Sequence, residues 1–152
     1  MNWSGLFVGG FLVVGLGLVG FRTFAPAESV PVRSMVPPDT SGIAQGAPLV
    51  TVSLPDELSA EAEIGKRGFE ANCAVCHGQN AAGQNGVAPP LVHITYEPNH
   101  HSDRAFVSAA RNGVTSHHWN FGNMPVIEGL SNADVLYIAR YVRELQRANG
   151  IN

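Results

Sequence analysis

Two cysteines and a histidine form the most chemically specific pattern of the sequence, Cys73-Ala74-Val75-Cys76-His77. In a C-x-x-C-H pattern both thiols add to the vinyl groups of a haem, and the histidine offers its imidazole to the iron. A bare C-x-x-C also occurs in redox dithiols and zinc sites. A zinc ribbon needs a second cysteine pair, which this chain lacks, and a thioredoxin-like site needs a βαβ pattern, whereas this region reads as helical. The motif therefore predicts one covalent haem c bound by Cys73 and Cys76, with His77 on the iron.

A second axial ligand is expected from a methionine, because a low-spin haem that transfers electrons fast needs both axial positions filled. Three methionines are present. Met1 belongs to the apolar N-terminus and Met35 to a proline-rich segment, which leaves Met124 in the region of the haem motif. Pro125 disfavours helix at Met124 and would hold an open loop over the haem face. Met124 is thus predicted as the partner of His77, and a core methionine is the alternative.

Helices are the elements predicted to position these residues. Ser59 is a suitable N-cap for a first helix that runs to about residue 72, just before the motif. A second helix is predicted over 103–111 and a third over 132–148. The third helix has an apolar face with helical spacing, formed by Val135, Ile138, Ala139, Val142 and Leu145. No segment reads as a convincing strand, so the predicted fold class is all-α.

The N-terminal segment, residues 1–24, is predicted to be a transmembrane anchor. From Trp3 to Phe24 a helix would measure ~33 Å, enough to cross a hydrocarbon layer of ~30 Å. A cleaved signal peptide is the rival interpretation, because Ala25-Pro26-Ala27 resembles a cleavage site. The first four residues contain no Lys or Arg, however, and a signal peptide usually begins with a basic stretch.

Residues 25–58 are predicted to be a linker, and residues 59–152 a haem domain. The linker contains six prolines and shows no helical period, which is typical of a semi-extended tether. Such a tether would let the domain swing between partners, or would lie as an ordered strap on a neighbouring subunit. The haem domain is small and has few large apolar residues, so a covalent haem would supply its missing apolar centre.

With these motifs, residues 59 to about 146 resemble the class I (mono-haem) cytochromes c. Gly65 and Phe69, which precede the haem motif, are similar to the family's first helix. Tyr141 lies in a stretch that is similar to the C-terminal helix crossing it. The resemblance implies a small class I cytochrome c fold around one covalent haem, in which Gly65 lets the two helices approach closely.

The resemblance also implies a set of site residues. Pro89 is similar to the family's proline after the haem motif, whose carbonyl would accept a hydrogen bond from the ring of His77. Met124 with Pro125 matches the family's ligand loop. Trp119 is expected near the haem propionates, on the resemblance alone. Cofactor contacts are thus expected from Cys73, Cys76, Pro89 and Trp119, and iron ligands from His77 and Met124.

Electron transfer, and not enzyme catalysis, is the predicted function, because a Met/His haem has no open iron position. The net charge of −3 speaks against nucleic-acid binding. Covalent haem attachment takes place outside the cytoplasm, so we expect a single-pass anchor in the inner cell membrane and a periplasmic haem domain. The expected partners are a cytochrome bc-type donor and an oxidase or reaction-centre acceptor in a respiratory or photosynthetic chain. Alternatively, the protein is the haem c subunit of one such complex.

Two other functions stay open at this point. Displacement of Met124 would open the iron and make the protein a haem-based ligand sensor or a peroxidase. A copper-associated redox module is the other alternative, because five histidines crowd the middle of the domain. They would form a copper or zinc site, polar groups at the haem edge, or solvated loops, and they are His93, His100, His101, His117 and His118.

Overall fold

The computed structural model describes residues 35, 36 and 38–152. The predicted anchor, residues 1–24, lies outside the described residues, as does the first part of the linker. The described part contains four α-helices, which are α1 (Ala60–Asn72), α2 (Ala74–His77), α3 (Asp103–Asn112) and α4 (Asn132–Ala148). Short 3₁₀ turns lie at Gln79–Ala81 and Ile94–Tyr96. The described residues form no β-strand, only isolated bridges, and their helical character confirms the predicted class.

None of the helices in the described ranges is both long enough and apolar enough to cross a bilayer.

Local capping signals set the helix bounds close to where the sequence placed them. The Ser59 side chain caps α1 by accepting a hydrogen bond from the backbone N–H of Ala62. At the start of α4, Ser131 and Asp134 form the reciprocal pair of a capping box. Ser102 occupies the N-cap position of α3, although its side chain makes no capping bond. The predicted helix starts are thus confirmed.

The crossing of α1 and α4 forms the centre of the domain. An alanine Cβ at Gly65 would lie 1.8 Å from the backbone carbonyl oxygen of Tyr137, so only glycine permits this approach. Beside the crossing, the rings of Phe69 and Tyr141 pack with centroids 5.6 Å apart, tilted by 56°. Both rings are buried. The close approach that the resemblance implied at Gly65 is therefore confirmed.

A buried arginine ties α4 to the loops beside it, which the sequence analysis did not foresee. Arg143 is only 5% exposed, and its Nε donates to a carboxylate oxygen of Asp103 at 2.8 Å. Its Nη1 donates to the carbonyl of Tyr96 at 2.6 Å, and its Nη2 donates to the carbonyl of His101. The aliphatic face of α4 thus includes a charged group that holds the start of α3 and the preceding turn.

Arg143→Ala is expected to lower the free energy of unfolding by about 3 kcal/mol. It removes the donor to the carbonyl of His101 and one of two donors to the carbonyl of Tyr96, and it breaks the ion pair with Asp103. Arg140→Ala is the matched control on the same helix. Arg140 pairs with Glu61 at 3.3 Å with both side chains more than half exposed, so its loss should change the free energy by less than about 1 kcal/mol. Chemical denaturation of both variants would measure the difference, and equal losses would contradict the assigned role of Arg143.

Part of the proline-rich segment packs on the helical domain. Leu49 and Val50 are buried, in a cluster with Ala82 and Trp119. The backbone N–H of Leu49 donates to the carbonyl of Ala82 at 3.1 Å, and the Asn85 side chain donates to the carbonyl of Ile43 at 2.6 Å. The sequence analysis treated residues 25–58 as one linker, whereas the stretch around Leu49 is attached to the domain's own surface.

Candidate functional site

An apolar cleft of about 620 Å³ opens beside α2. Its volume lies in the usual range for ligand sites, roughly 300–1,000 Å³. Segments from across the sequence contribute to its walls, including α2, the 3₁₀ turn before α3, α3 itself and the loop between α3 and α4. All six predicted site residues line it, namely Cys73, Cys76, His77, Pro89, Trp119 and Met124.

The two cysteines line the cleft and form no disulfide with each other. Cys73 joins the end of α1 to the start of α2, and the backbone N–H groups of Cys76 and His77 both donate to its carbonyl, at 3.1 and 2.9 Å. The single turn of α2 therefore presents both thiols and the imidazole together. Cys76 is exposed and Cys73 half-buried. Burial, with a smaller contribution from Cys76, raises the pKa of the Cys73 thiol to about 11.

The ring of His77 is oriented by a backbone carbonyl. Its Nδ1 lies 2.9 Å from the carbonyl oxygen of Pro89. A carbonyl only accepts, so Nδ1 carries the proton and Nε2 keeps its free lone pair. Burial lowers the pKa of His77, and the hydrogen bond to Pro89 opposes this effect only in part. A neutral imidazole with a free Nε2 is the form that ligates a metal, and the contact implied for Pro89 is present.

Met124 lines the cleft, and a two-residue bridge holds its backbone. The N–H and C=O of Met124 exchange hydrogen bonds with those of Val114, both at 3.0 Å. Gly113 precedes the bridge with φ +69°, and a Cβ there would lie 2.7 Å from the carbonyl oxygen of Met124. Three residues on, Ile127 donates to the carbonyl of Ala110 at 2.8 Å. The methionine loop is thus fixed to the end of α3.

Trp119 lies between the cleft and the packed linker segment. It is 7% exposed, and its Nε1 has no hydrogen-bond partner of normal geometry among the described residues. The Tyr96 hydroxyl lies near enough for the indole to lower its pKa, although burial is the larger effect and raises it. A buried N–H without a full partner is costly. An acceptor on a group bound in the cleft would satisfy it.

The comparisons with known proteins agree with this geometry. A family model described as Cytochrome c matches residues 62–146, more than half of the chain. This chain belongs to the cytochrome c family. No curated protein matches its sequence. As a member of the family, the protein is a haem protein of electron transfer that binds covalent haem c, one for its single matched domain.

The residues of this cytochrome c fit such a haem. Two unpaired thiols, an imidazole with a free nitrogen and a methionine face one apolar cleft. The indole N–H of Trp119 supplies a donor that a propionate would use. Cys73, Cys76, His77 and Met124 are therefore the residues that would hold the cofactor.

Gln84 is a site residue that the sequence analysis missed. Its side-chain amide donates to the carbonyls of Val75 at 2.8 Å and Cys76 at 3.1 Å, and weakly to that of Ala74 at 3.3 Å. The carbonyl of Ala74 also accepts from the backbone N–H of Gly78 at 2.9 Å, whereas those of Val75 and Cys76 lie at the C-terminal end of α2, where a helix leaves its carbonyls without intrahelical partners. Gln84 thereby stabilises the turn that carries the haem motif. A single glutamine seven residues beyond the motif gives no signal in the sequence.

The cytochrome's five central histidines separate into two groups. His93 is buried, with its ring edge-on to Trp119 at 5.1 Å between centroids, and its Nδ1 contacts Thr95. The other four lie together beside the cleft, with neighbouring ring centroids 4.3–6.1 Å apart, and they are His100, His101, His117 and His118. The sequence indicated their number but not this division.

Proposed function

We propose that this cytochrome c is a membrane-tethered, mono-haem electron carrier without enzyme activity. The observation that carries the proposal is that His77 and Met124 line the same cleft. The carbonyl of Pro89 holds the ring of His77, and backbone hydrogen bonds to Val114 hold Met124. An imidazole and a thioether would fill both axial positions of one iron. With both filled, no position is left for a substrate, and the cofactor supplies a one-electron iron couple.

Each site residue has a separate role in this proposal. Cys73 and Cys76 would form the thioether bonds that fix the cofactor in the cleft. His77 would ligate the iron through Nε2 while the Pro89 carbonyl holds its ring. Because the backbone of Met124 is bonded to Val114, its thioether would be held at the cleft as a ligand. Little reorganisation would then accompany electron transfer.

A weakly charged, apolar surface supports docking to membrane redox complexes. Val75, between the two cysteines, is 76% exposed, and Val87 and Val126 are 40% and 50% exposed in loops that frame the cleft. Residues 59–152 carry seven Lys and Arg against eight Asp and Glu. Such a surface gives little long-range steering. A tether through residues 1–24 would compensate by raising the effective concentration.

The proposed partners follow from this arrangement. We place the haem domain in the periplasm and the anchor in the inner cell membrane. There the domain would take an electron from a cytochrome bc-type donor and pass it to an oxidase or a reaction centre, or would serve as the haem c subunit of one such complex. The apolar rim around Val75 is the surface that we assign to these contacts.

Met124→Ala tests the proposal through the optical spectrum and the redox potential of the purified holoprotein. We expect the wild-type ferric protein to show the weak far-red band of a sulfur–iron bond, and the variant to lose it. The midpoint potential should fall by on the order of a hundred millivolts, a fraction of the ~0.8 V that axial ligation spans.

Met35→Ala is the matched control, because Met35 is about half exposed and lies outside the cleft lining. It should keep both the far-red band and the potential. A wild-type spectrum that is high-spin and shifts when carbon monoxide is added would overturn the carrier proposal in favour of a ligand sensor or peroxidase.

A further inference from the structure

Three histidines beside the haem cleft bring their ring nitrogens together. His100 and His101 follow the 3₁₀ turn at Ile94–Tyr96, and His118 comes from the loop after α3. One ligand atom from each lies within 4.8 Å of the other two. The rings also pack on one another, with centroids of His100 and His101 4.7 Å apart and those of His101 and His118 5.3 Å apart. Solvated loop histidines have no reason to converge in this way.

The closest nitrogen pair has the spacing of a tetrahedral metal site. Nε2 of His100 lies 3.3 Å from Nε2 of His118. Two imidazole nitrogens bound at 2.0–2.1 Å to one tetrahedral zinc ion are about 3.3 Å apart. The exposed His100 ring and the half-buried His118 ring can rotate to close the remaining separations.

His101 is oriented by a backbone carbonyl as metal-bound histidines are. Its Nδ1 lies 2.6 Å from the carbonyl oxygen of Thr95. Because that oxygen only accepts, Nδ1 carries the proton and Nε2 is left with its lone pair. A carbonyl on the far nitrogen fixes the tautomer and the ring of a metal ligand. Thr95 itself is buried, so this support is rigid.

The positive charge nearest the three histidines is offset within the fold. The Arg143 guanidinium donates to the backbone carbonyl of His101, which places a cation next to the cluster. The same guanidinium is paired with the carboxylate of Asp103 at 2.8 Å. Its charge therefore opposes a bound cation less than a free arginine would, and its hydrogen bond holds the His101 backbone in place.

We propose that His100, His101 and His118 form a site for a divalent transition metal ion, Zn²⁺ or Cu²⁺. Neutral imidazoles suit both ions, and three of them leave a fourth position for water or another ligand. Exposure of His100 gives the ion access from solvent. His101 and His118 also line the cleft, so the ion would bind next to the haem through ligands other than Cys73, Cys76, His77 and Met124. The proposal does not depend on Met124 as an iron ligand.

Titration calorimetry with Zn²⁺ tests the site on the full-length, haem-loaded protein, prepared without a polyhistidine tag and washed with chelator. We expect one ion per protein. His100→Ala, His101→Ala and His118→Ala should each weaken binding at least tenfold. Metal analysis after gel filtration should give the same stoichiometry. The optical spectrum of each variant reports whether the haem domain is intact, and His100→Ala, at an exposed position, keeps the test valid if His101→Ala does not fold.

His117→Ala is the matched control. Its ring lies 4.3 Å from that of His118, but His117 is not one of the three convergent residues, and its Nδ1 contacts the carbonyl of Thr115 at 2.9 Å. This variant should bind Zn²⁺ within about threefold of the wild type. Absence of zinc binding, or equal binding by the wild type and the three variants, would overturn the proposal. A tenfold loss in His117→Ala would overturn the choice of these three ligands.

Discussion

Gly65→Ala is expected to lower the free energy of unfolding of the holoprotein by at least about 3 kcal/mol. It is the largest effect that we predict for adding one methyl group to a glycine of the described fold. The added Cβ would lie 1.8 Å from the carbonyl oxygen of Tyr137 and 2.5 Å from its carbon. Both atoms are backbone of α4, so no side-chain rotation relieves the clash. The helices must separate, and the contact of Phe69 with Tyr141 opens with them. Chemical denaturation followed by far-UV circular dichroism would measure the loss.

Gly68→Ala is the matched control, one turn further along the same helix. Its Cβ would approach only the Ile138 side chain, with Cγ1 at 3.1 Å and Cδ1 at 3.3 Å. That side chain can yield by a few tenths of an ångström. Alanine is also favoured over glycine inside a helix by up to about 1 kcal/mol, so the net change should be small. Equal destabilisation by the two substitutions would contradict the close crossing at Gly65.

Gly113→Ala should displace Met124 through the backbone, from a position that also lines the cleft. Gly113 has φ +69° and ψ −179°, a region essentially confined to glycine, where another residue is strained by about 1–3 kcal/mol. Its Cβ would also lie 2.7 Å from the carbonyl oxygen of Met124. Relief requires the Val114–Met124 bridge to move. We expect the ferric protein to lose much of its far-red band, and the ferrous protein to bind carbon monoxide measurably.

Gly129→Ala separates backbone strain from displacement of the methionine. Gly129 also has a positive φ, +82°, but a Cβ there meets no atom within 4 Å. Gly129→Ala should lower the free energy of unfolding and leave the optical spectrum unchanged. If both variants keep the far-red band, Gly113 does not position Met124. If both lose it, general strain is the cause.

Local signals explain why the helices could be predicted from the sequence. Ser59 and the Ser131–Asp134 pair mark helix starts through contacts within three residues, and the apolar face of α4 follows from its period. The C-x-x-C-H motif identifies its own chemistry because all its members lie in one turn. Met124, found by elimination among three methionines, lies in the cleft, and its bond to iron stays a prediction.

The contacts that the sequence did not predict are long-range ones. Arg143 lies four residues after Ala139, on the buried face of α4. A charged residue at a position of the apolar face was the sign in the sequence that Arg143 has buried partners. Its partners Tyr96 and Asp103 lie more than 35 residues away, where no periodicity reaches. In the same way, the sequence shows two pairs of adjacent histidines, but only the fold shows that His100 lies close to His118.

The proline content indicated that residues 25–58 would form no helix, but it did not show that part of this segment packs on the domain. Leu49 and Val50 are an apolar pair directly after Pro48, and that pair was a usable sign of burial. Composition averages conceal such a pair. Its partners, Ala82 and Trp119, are again distant in the sequence.

In the proposed membrane-tethered protein, the attachment of Leu49 to the domain would shorten the distance that the haem domain can move from its anchor. A free coil of residues 25–58 would hold the domain roughly 30 Å from the proposed anchor. The chain is bonded to Asn85 at both Thr40 and Ile43, so the proposed tether would be limited to residues 25–39, and a free coil of that length would span roughly 21 Å. The exit point also lies on the Trp119 side of the molecule. The tether would thereby restrict which face of the domain turns toward the bilayer, and so which complexes meet its exposed apolar rim.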